Sequence, residues 1–113
     1  MTELIEGRCH CGAVQWQAQL PPKLLLNCHC NMCRQLSGAD YSSWVIMLDE
    51  QFSLTQGEAE LQSYQASSGF SKTFCRRCGT TVNGVNTAKF PGHTYVARGT
   101  VTTDIDLPVN LQV

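Results

Sequence analysis

The sequence predicts a mainly β domain organised around cysteine-bound metal. Three observations carry this reading. Apolar residues alternate with polar ones over short stretches instead of recurring at helical spacing. Turn formers punctuate the whole chain, at Pro21-Pro22, Ser68-Gly69, Cys78-Gly79 and Pro91-Gly92. Seven cysteines fall into three clusters within 113 residues.

The elements follow in order. Ala13-Val14-Gln15-Trp16-Gln17-Ala18 alternates in part and reads as a strand. Asn31-Met32-Cys33-Arg34-Gln35-Leu36 is the one helical turn, stopped by Ser37-Gly38. Tyr41 to Leu48 is rich in β-branched and aromatic residues and ends at Asp49-Glu50. Phe52-Ser53-Leu54-Thr55 alternates and stops before Gly57. Leu61 to Ala66 alternates again, and Phe70 to Phe74 leads into a cysteine pair. Thr94 to Arg98 is the last strand, closed by Gly99. Trp16, Trp44, Phe70 and Phe74 read as core; Tyr41 and Tyr64 suit either a cleft or the core. With no linker, repeat or low-complexity tract, residues 1–113 are expected to form a single domain.

Charge and leader sequence narrow the function classes. The formal net charge is −1 and no basic run occurs, which argues against nucleic acid as a partner. The start, Met1 to Gly7, is acidic and lacks the apolar core of a signal peptide. The longest apolar run near it, Leu24-Leu25-Leu26, is far too short to span a membrane. A cytoplasmic location is expected, where thiols stay reduced. The odd cysteine count also disfavours a disulfide framework, which leaves metal ligation.

Cys9 and Cys11 form a C-x-C, Cys28, Cys30 and Cys33 a C-x-C-x-x-C, and Cys75 and Cys78 a C-x-x-C followed by Gly79. A C-x-x-C can turn as a knuckle whose amides face the thiolates, and two pairs from distant segments make the closed four-thiolate arrangement of structural zinc. Clusters of two, three and two can be divided in more than one way. The preferred division pairs Cys9 and Cys11 with Cys75 and Cys78 and leaves Cys28, Cys30 and Cys33 together. Three local thiolates hold one zinc and leave its fourth position open, the mark of a reactive site. The alternative fills that position with His29, His10 or His93. A redox role for either C-x-x-C is a further alternative. Two zinc ions on seven thiolates would make the folded protein distinctly acidic.

Zinc on three thiolates pulls weakly on water and favours a soft fourth ligand, and a thiol is the natural one. Bound there, it stays deprotonated near neutral pH and can attack a carbonyl carbon or leave from the adduct. The spacing therefore suggests thiol–carbonyl addition or its reverse. Arg34, beside the third ligand, and Lys72 are candidates to hold a substrate carboxylate, Arg76 and Arg77 are candidates similar to Lys72, and each has a plain reading as a surface charge.

The sequence resembles the glutathione-dependent formaldehyde-activating enzymes, the family that also includes centromere protein V. The matching residues are Gly7-Arg8-Cys9-His10-Cys11-Gly12-Ala13-Val14, Asn27-Cys28-His29-Cys30-Asn31-Met32-Cys33-Arg34 with Ser37-Gly38-Ala39, Tyr64 to Gly69, Phe74-Cys75-Arg76-Arg77-Cys78-Gly79-Thr80, and Arg98-Gly99-Thr100-Val101. The resemblance implies a β-tent fold, a structural zinc on Cys9, Cys11, Cys75 and Cys78, and a catalytic zinc on Cys28, Cys30 and Cys33. It implies a carbon–sulfur lyase that joins glutathione and formaldehyde into S-hydroxymethylglutathione. It departs late, where Asn110 stands about where the family has a histidine. The rival class is a non-enzymatic, zinc-stabilised binding module of the same fold.

Overall fold

The computed structural model describes residues 3–113; Met1 and Thr2, part of the start read above as leaderless, lie outside the described residues. Ten strands form two sheets. The small sheet has the order β1-β2-β5, with β1 (Leu4–Arg8), β2 (Gln15–Gln19) and β5 (Phe52–Gln56) all antiparallel. The large sheet holds β3 (Leu24–Cys28), β4 (Ser42–Leu48), β6 (Leu61–Gln65), β7 (Phe70–Cys75), β8 (Thr81–Asn86), β9 (His93–Ala97) and β10 (Leu111–Gln112). Its order is β10-β3-β4-β9-β8-β7-β6, and only the β10–β3 pair is parallel. One α-helix, α1 (Asn31–Ser37), follows β3 directly. The class is mainly β, as the alternating stretches predict, and is consistent with a β-tent. Among the described residues, no helix is long and apolar enough to cross a membrane.

Two apolar layers hold the sheets. Between the sheets lie Ile5, Trp16 and Ala18 from the small one and Val14 from its β1–β2 turn, against Leu25, Val45, Met47, Val82 and Val96 from the large one. On the other face of the large sheet, Leu26, Trp44, Ile46, Phe70 and Tyr95 pack beneath Met32 and Leu36 of α1. β4 thus buries both faces, which explains why its sequence is a continuous apolar run without alternation. Fully burying each such side chain contributes about 1.5–3 kcal/mol.

α1 starts where Cys30 caps it: the Cys30 sulfur accepts a hydrogen bond from the Cys33 amide. It ends at Gly38, whose amide donates to the Arg34 carbonyl. The helix is short and covers only part of its sheet face, so a cleft remains beside it.

Candidate metal centres and the adjoining cleft

The first cysteine group joins the two sheets. Cys9 and Cys11 sit on the β1–β2 turn, which the Cys9 amide closes by donating to the Val14 carbonyl at 3.0 Å. Cys75 ends β7 and Cys78 lies on the turn into β8. There the Gly79 amide donates to the Cys75 carbonyl at 2.7 Å. Gly79 takes φ +81°, a backbone that only glycine adopts freely, so the knuckle depends on it. The His10 amide donates to Thr80 Oγ1 at 3.1 Å and ties one turn to the other.

The four sulfurs lie within 4.8 Å of one another, with Cys9–Cys11 at 3.7 Å and Cys11–Cys75 at 3.8 Å. Four sulfurs at about 2.3 Å from a tetrahedral metal are about 3.8 Å apart, whereas a disulfide needs about 2.05 Å. The spacing fits a bound metal and excludes disulfides. Charge leads to the same conclusion. The Thr80 hydroxyl, with the Cys11 amide, brings the Cys78 thiol down to about 5. The Ala13 amide draws Cys11 down, but burial and the three neighbouring sulfurs outweigh it and push that thiol up to about 11. One thiolate forms easily and opposes the next, so four together require a cation.

The second group is local. Cys28 ends β3, Cys30 caps α1, and Cys33 lies in the helix's first turn, all three sulfurs within 4.8 Å. Cys28 and Cys30 sulfurs are 3.4 Å apart, tighter than a filled tetrahedron. The Cys33 amide, 3.4 Å from the Cys30 sulfur, holds that thiol below its usual range. Burial first, then the Cys28 and Cys30 sulfurs, push the Cys33 thiol well up. Cys30 is exposed, Cys28 half-buried and Cys33 buried, so the group opens on one side. The Ser42 hydroxyl donates to the Cys33 carbonyl at 2.9 Å and ties the helix to β4, while the Ser37 hydroxyl donates to the same carbonyl at 2.9 Å from within the helix.

Among the described residues, no histidine joins either group. His29 turns away: its ring stacks on Tyr41 at 4.9 Å, and Nε2 is paired with Gln112 Oε1 at 2.6 Å. His93 Nδ1 is paired with the Pro91 carbonyl. Asn110 serves the backbone, accepting from the Leu25 amide at 2.8 Å and laying β10 beside β3.

The charged candidates separate. Arg34 pairs with the Asn31 side chain on the outer surface of α1, beside Asp40. Arg76 and Arg77 both point at Glu60, at 3.0 and 3.2 Å. Lys72 alone enters the cleft beside α1, where its ammonium donates to the Leu36 carbonyl at 3.0 Å. Tyr41 and Tyr64 each line a hollow beside that helix. Tyr95, which the sequence does not mark, stands edge-on to Trp44 and Phe70 at 5.8 Å. Burial chiefly raises its phenol pKa; the Asn86 side chain offsets this in part, and the charges of Cys28 and Cys33 add to it. Trp44, read as core, is buried and also lines the cleft. Only the pairing of strands reveals either position.

The family model for the glutathione-dependent formaldehyde-activating enzyme matches residues 4–112. A Halomonas elongata protein provisionally named a glutathione-dependent formaldehyde-activating enzyme is 31% identical over 85 residues, covering 70% of this chain and 54% of that protein. An uncharacterized lyase of Schizosaccharomyces pombe is 30% identical over 77 residues, covering 68% of this chain and 54% of that protein. The match thus spans about half the length of these curated relatives. A crystal structure of a Rhodobacter sphaeroides protein superposes with a TM-score of 0.77 over 96% of this chain and 99% of that one; at 21% identity, the likeness is one of fold.

Proposed function

This chain belongs to the glutathione-dependent formaldehyde-activating enzyme family, and from that premise we propose that it joins a thiol such as glutathione to a small aldehyde such as formaldehyde, or cleaves the adduct. Zinc in the Cys9, Cys11, Cys75 and Cys78 group has a structural role. Cys28, Cys30 and Cys33 would hold the catalytic zinc, which would supply Lewis acidity at the open side of the group. The observation that carries this reading is the second group's composition: three thiols, one exposed, and no fourth protein donor among the described residues.

The chain's own residues then have definite tasks. The Cys33 amide stabilises charge on the Cys30 sulfur. Ser42 anchors the Cys33 carbonyl to β4, which helps the sulfurs keep their spacing. His29, drawn to Gln112 and Tyr41, leaves the open side clear. Lys72 supplies the positive charge in the cleft, suited to a substrate carboxylate. Addition forms one S–C bond, and the proton lost by the thiol ends on the aldehyde oxygen. Tyr95, buried against Trp44 and Phe70, keeps its phenol protonated.

Calorimetric titration of the zinc-loaded protein with glutathione tests this. Binding by the unmodified protein and its loss in Cys30→Ser is the expected pair of results. Absence of binding by the unmodified protein of glutathione and of other small thiols such as cysteine would rule out the enzyme and leave the zinc-stabilised binding module.

A further inference from the structure

A sheet edge carries unused backbone donors and acceptors and invites another strand, so native proteins shorten, bend, charge or cover it. Three of the four edges in this fold are treated in that way. Along β1, residues 101–103 lie against the strand. Gly7 bridges to Val101, the Thr102 amide donates to the Glu6 carbonyl at 2.9 Å, and the Glu6 amide donates to Thr103 Oγ1 at 2.8 Å. β5 carries an extra residue, Thr55, opposite the step from Gln15 to Trp16, a bulge that breaks its line. β10 is only two residues long.

β6 has none of these devices. It pairs with β7 over five residues without a register shift. Leu61-Gln62-Ser63-Tyr64-Gln65 holds no charge and no proline, and Gln62 to Gln65 are all exposed. Its bonds to β7 fall on alternate residues, as in any antiparallel pair. The Glu60 carbonyl accepts from the Arg76 amide and the Ala66 amide donates to the Phe70 carbonyl, each at 2.9 Å, so the backbone groups of the even-numbered residues face β7. The N–H and C=O of Ser63 and Gln65 and the C=O of Leu61 therefore point outward. The Leu61 N–H is already given to the Glu58 carbonyl.

These free groups are self-complementary. We propose that β6 is a dimer edge, pairing antiparallel with β6 of a second copy of this chain about a two-fold axis at Ser63. The two Ser63 residues then exchange both N–H···O bonds, and each Gln65 N–H meets the Leu61 C=O opposite, so every outward N–H is used. Like charges stay apart in this register. Glu60 of each copy falls opposite Ala66, about 20 Å along the strand from the other Glu60, beyond the screening length of physiological salt. Tyr64, 54% exposed in the single chain, falls opposite Gln62 of the second copy. Gln62 lines a hollow of about 400 Å³ with Leu36, Lys72 and Phe74, and the second copy's tyrosine covers its rim.

Sedimentation equilibrium of the zinc-loaded protein should give the mass of two chains. Ser63→Pro should weaken association about tenfold to hundredfold, because both central bonds are lost. The Ser63 N–H faces outward, so proline there removes no bond within one chain. Unchanged far-ultraviolet circular dichroism and zinc content would show that the variant is folded. Hydrogen exchange in the unmodified protein gives a readout independent of any variant: the Ser63 and Gln65 amides should exchange slowly at millimolar protein and faster on dilution. A single-chain mass at millimolar protein would overturn the self-pairing and leave the edge to a strand of another protein. A dimer in which the Ser63 amide exchanges freely, or one that folded Ser63→Pro leaves equally tight, would overturn it too.

Discussion

Glu60 braces the Cys75–Cys78 knuckle from outside. Its carboxylate takes Arg76 at 3.0 Å and Arg77 at 3.2 Å, and its carbonyl accepts from the Arg76 amide at 2.9 Å. The Arg76 hydrogen bond chiefly, with the charge of both arginines, holds its pKa below the usual carboxylate range. A lowered folded-state pKa stabilises above the unfolded value, about 4.3, and the effect disappears as pH falls through the folded value. Glu60→Gln should therefore lower the melting temperature at pH 7, and the gap to the unmodified protein should close as pH drops below about 4. High salt should narrow it too, since these arginines are exposed. A gap that persists at low pH would mean that the charge pairing is not its source. Gly7 makes a different demand. A Cβ there would come within 2.2 Å of the Trp16 ring and 2.5 Å of the Thr100 carbonyl oxygen. Trp16 is boxed in and cannot yield, so Gly7→Ala should cost about 1–3 kcal/mol or more in denaturant titration. Residue types alone do not reveal such roles. Arg34 and Lys72 look alike in sequence, yet one lies on the outer surface of α1 and the other in the cleft. The phase of a seven-residue helix sets the side on which Arg34 falls, and the place of β7 in the sheet sets that of Lys72; apolar spacing over so short a span fixes neither.

At the scale of elements, legibility follows side-chain alternation. β2, β5, β6, β7 and β9 are found within a residue or two of where the sequence places them; in β2 the alternation matches burial directly, whereas β6 is exposed along most of its length and β9 is buried on both faces. β4 is legible through composition instead. β1, β3, β8 and β10 are not read from sequence. β1 is five residues with Gly7 at a buried position, and β3 carries a leucine run with no period. β8 contains Gly84 and two asparagines, residues that strands disfavour. β10 is two residues long and exists only by pairing with β3. The cysteine groups are more legible than the strands, because ligand spacing is written locally while strand pairing is not. α1 offers a test that separates capping from ligation. Cys30 is its N-cap, and serine is among the best N-caps. Cys30→Ser should keep the helix and the far-ultraviolet circular dichroism while the protein drops from two zinc ions to one. Loss of both zinc ions or of the fold in this variant would assign the structural role to the wrong group.

For the whole molecule, the two groups differ in what they hold together. Cys9, Cys11, Cys75 and Cys78 bridge a turn of the small sheet to a turn of the large one, across contacts far apart in sequence. Cys28, Cys30 and Cys33 span the end of β3 and the helix that follows it, and the neighbouring β4 already holds both, pairing Cys28 with Ser42, whose hydroxyl donates to the Cys33 carbonyl. A structural zinc contributes on the order of 10 kcal/mol, as much as the net stability of a whole domain. Its removal from the bridging group would leave two sheets held by the apolar layer alone, with uncompensated sulfurs at its edge. Removal from the local group would leave both sheets and both apolar layers in place. Ligand number and burial order the two events: each group has one exposed thiol, Cys11 and Cys30, but the bridging group has four thiols with Cys9 and Cys75 buried, and the local group has three with Cys33 alone buried. Stepwise chelation, followed by zinc release and circular dichroism together, should therefore give two phases. The first equivalent leaves with the spectrum unchanged, and the second leaves only as the protein unfolds. Cys75→Ser should behave as though the second phase had already occurred, unfolded or aggregated before any chelator is added. Release of both equivalents in one phase with the fold intact would contradict the bridging role, and a soluble Cys75→Ser protein with an unchanged melting temperature would remove Cys75 from the structural ligands.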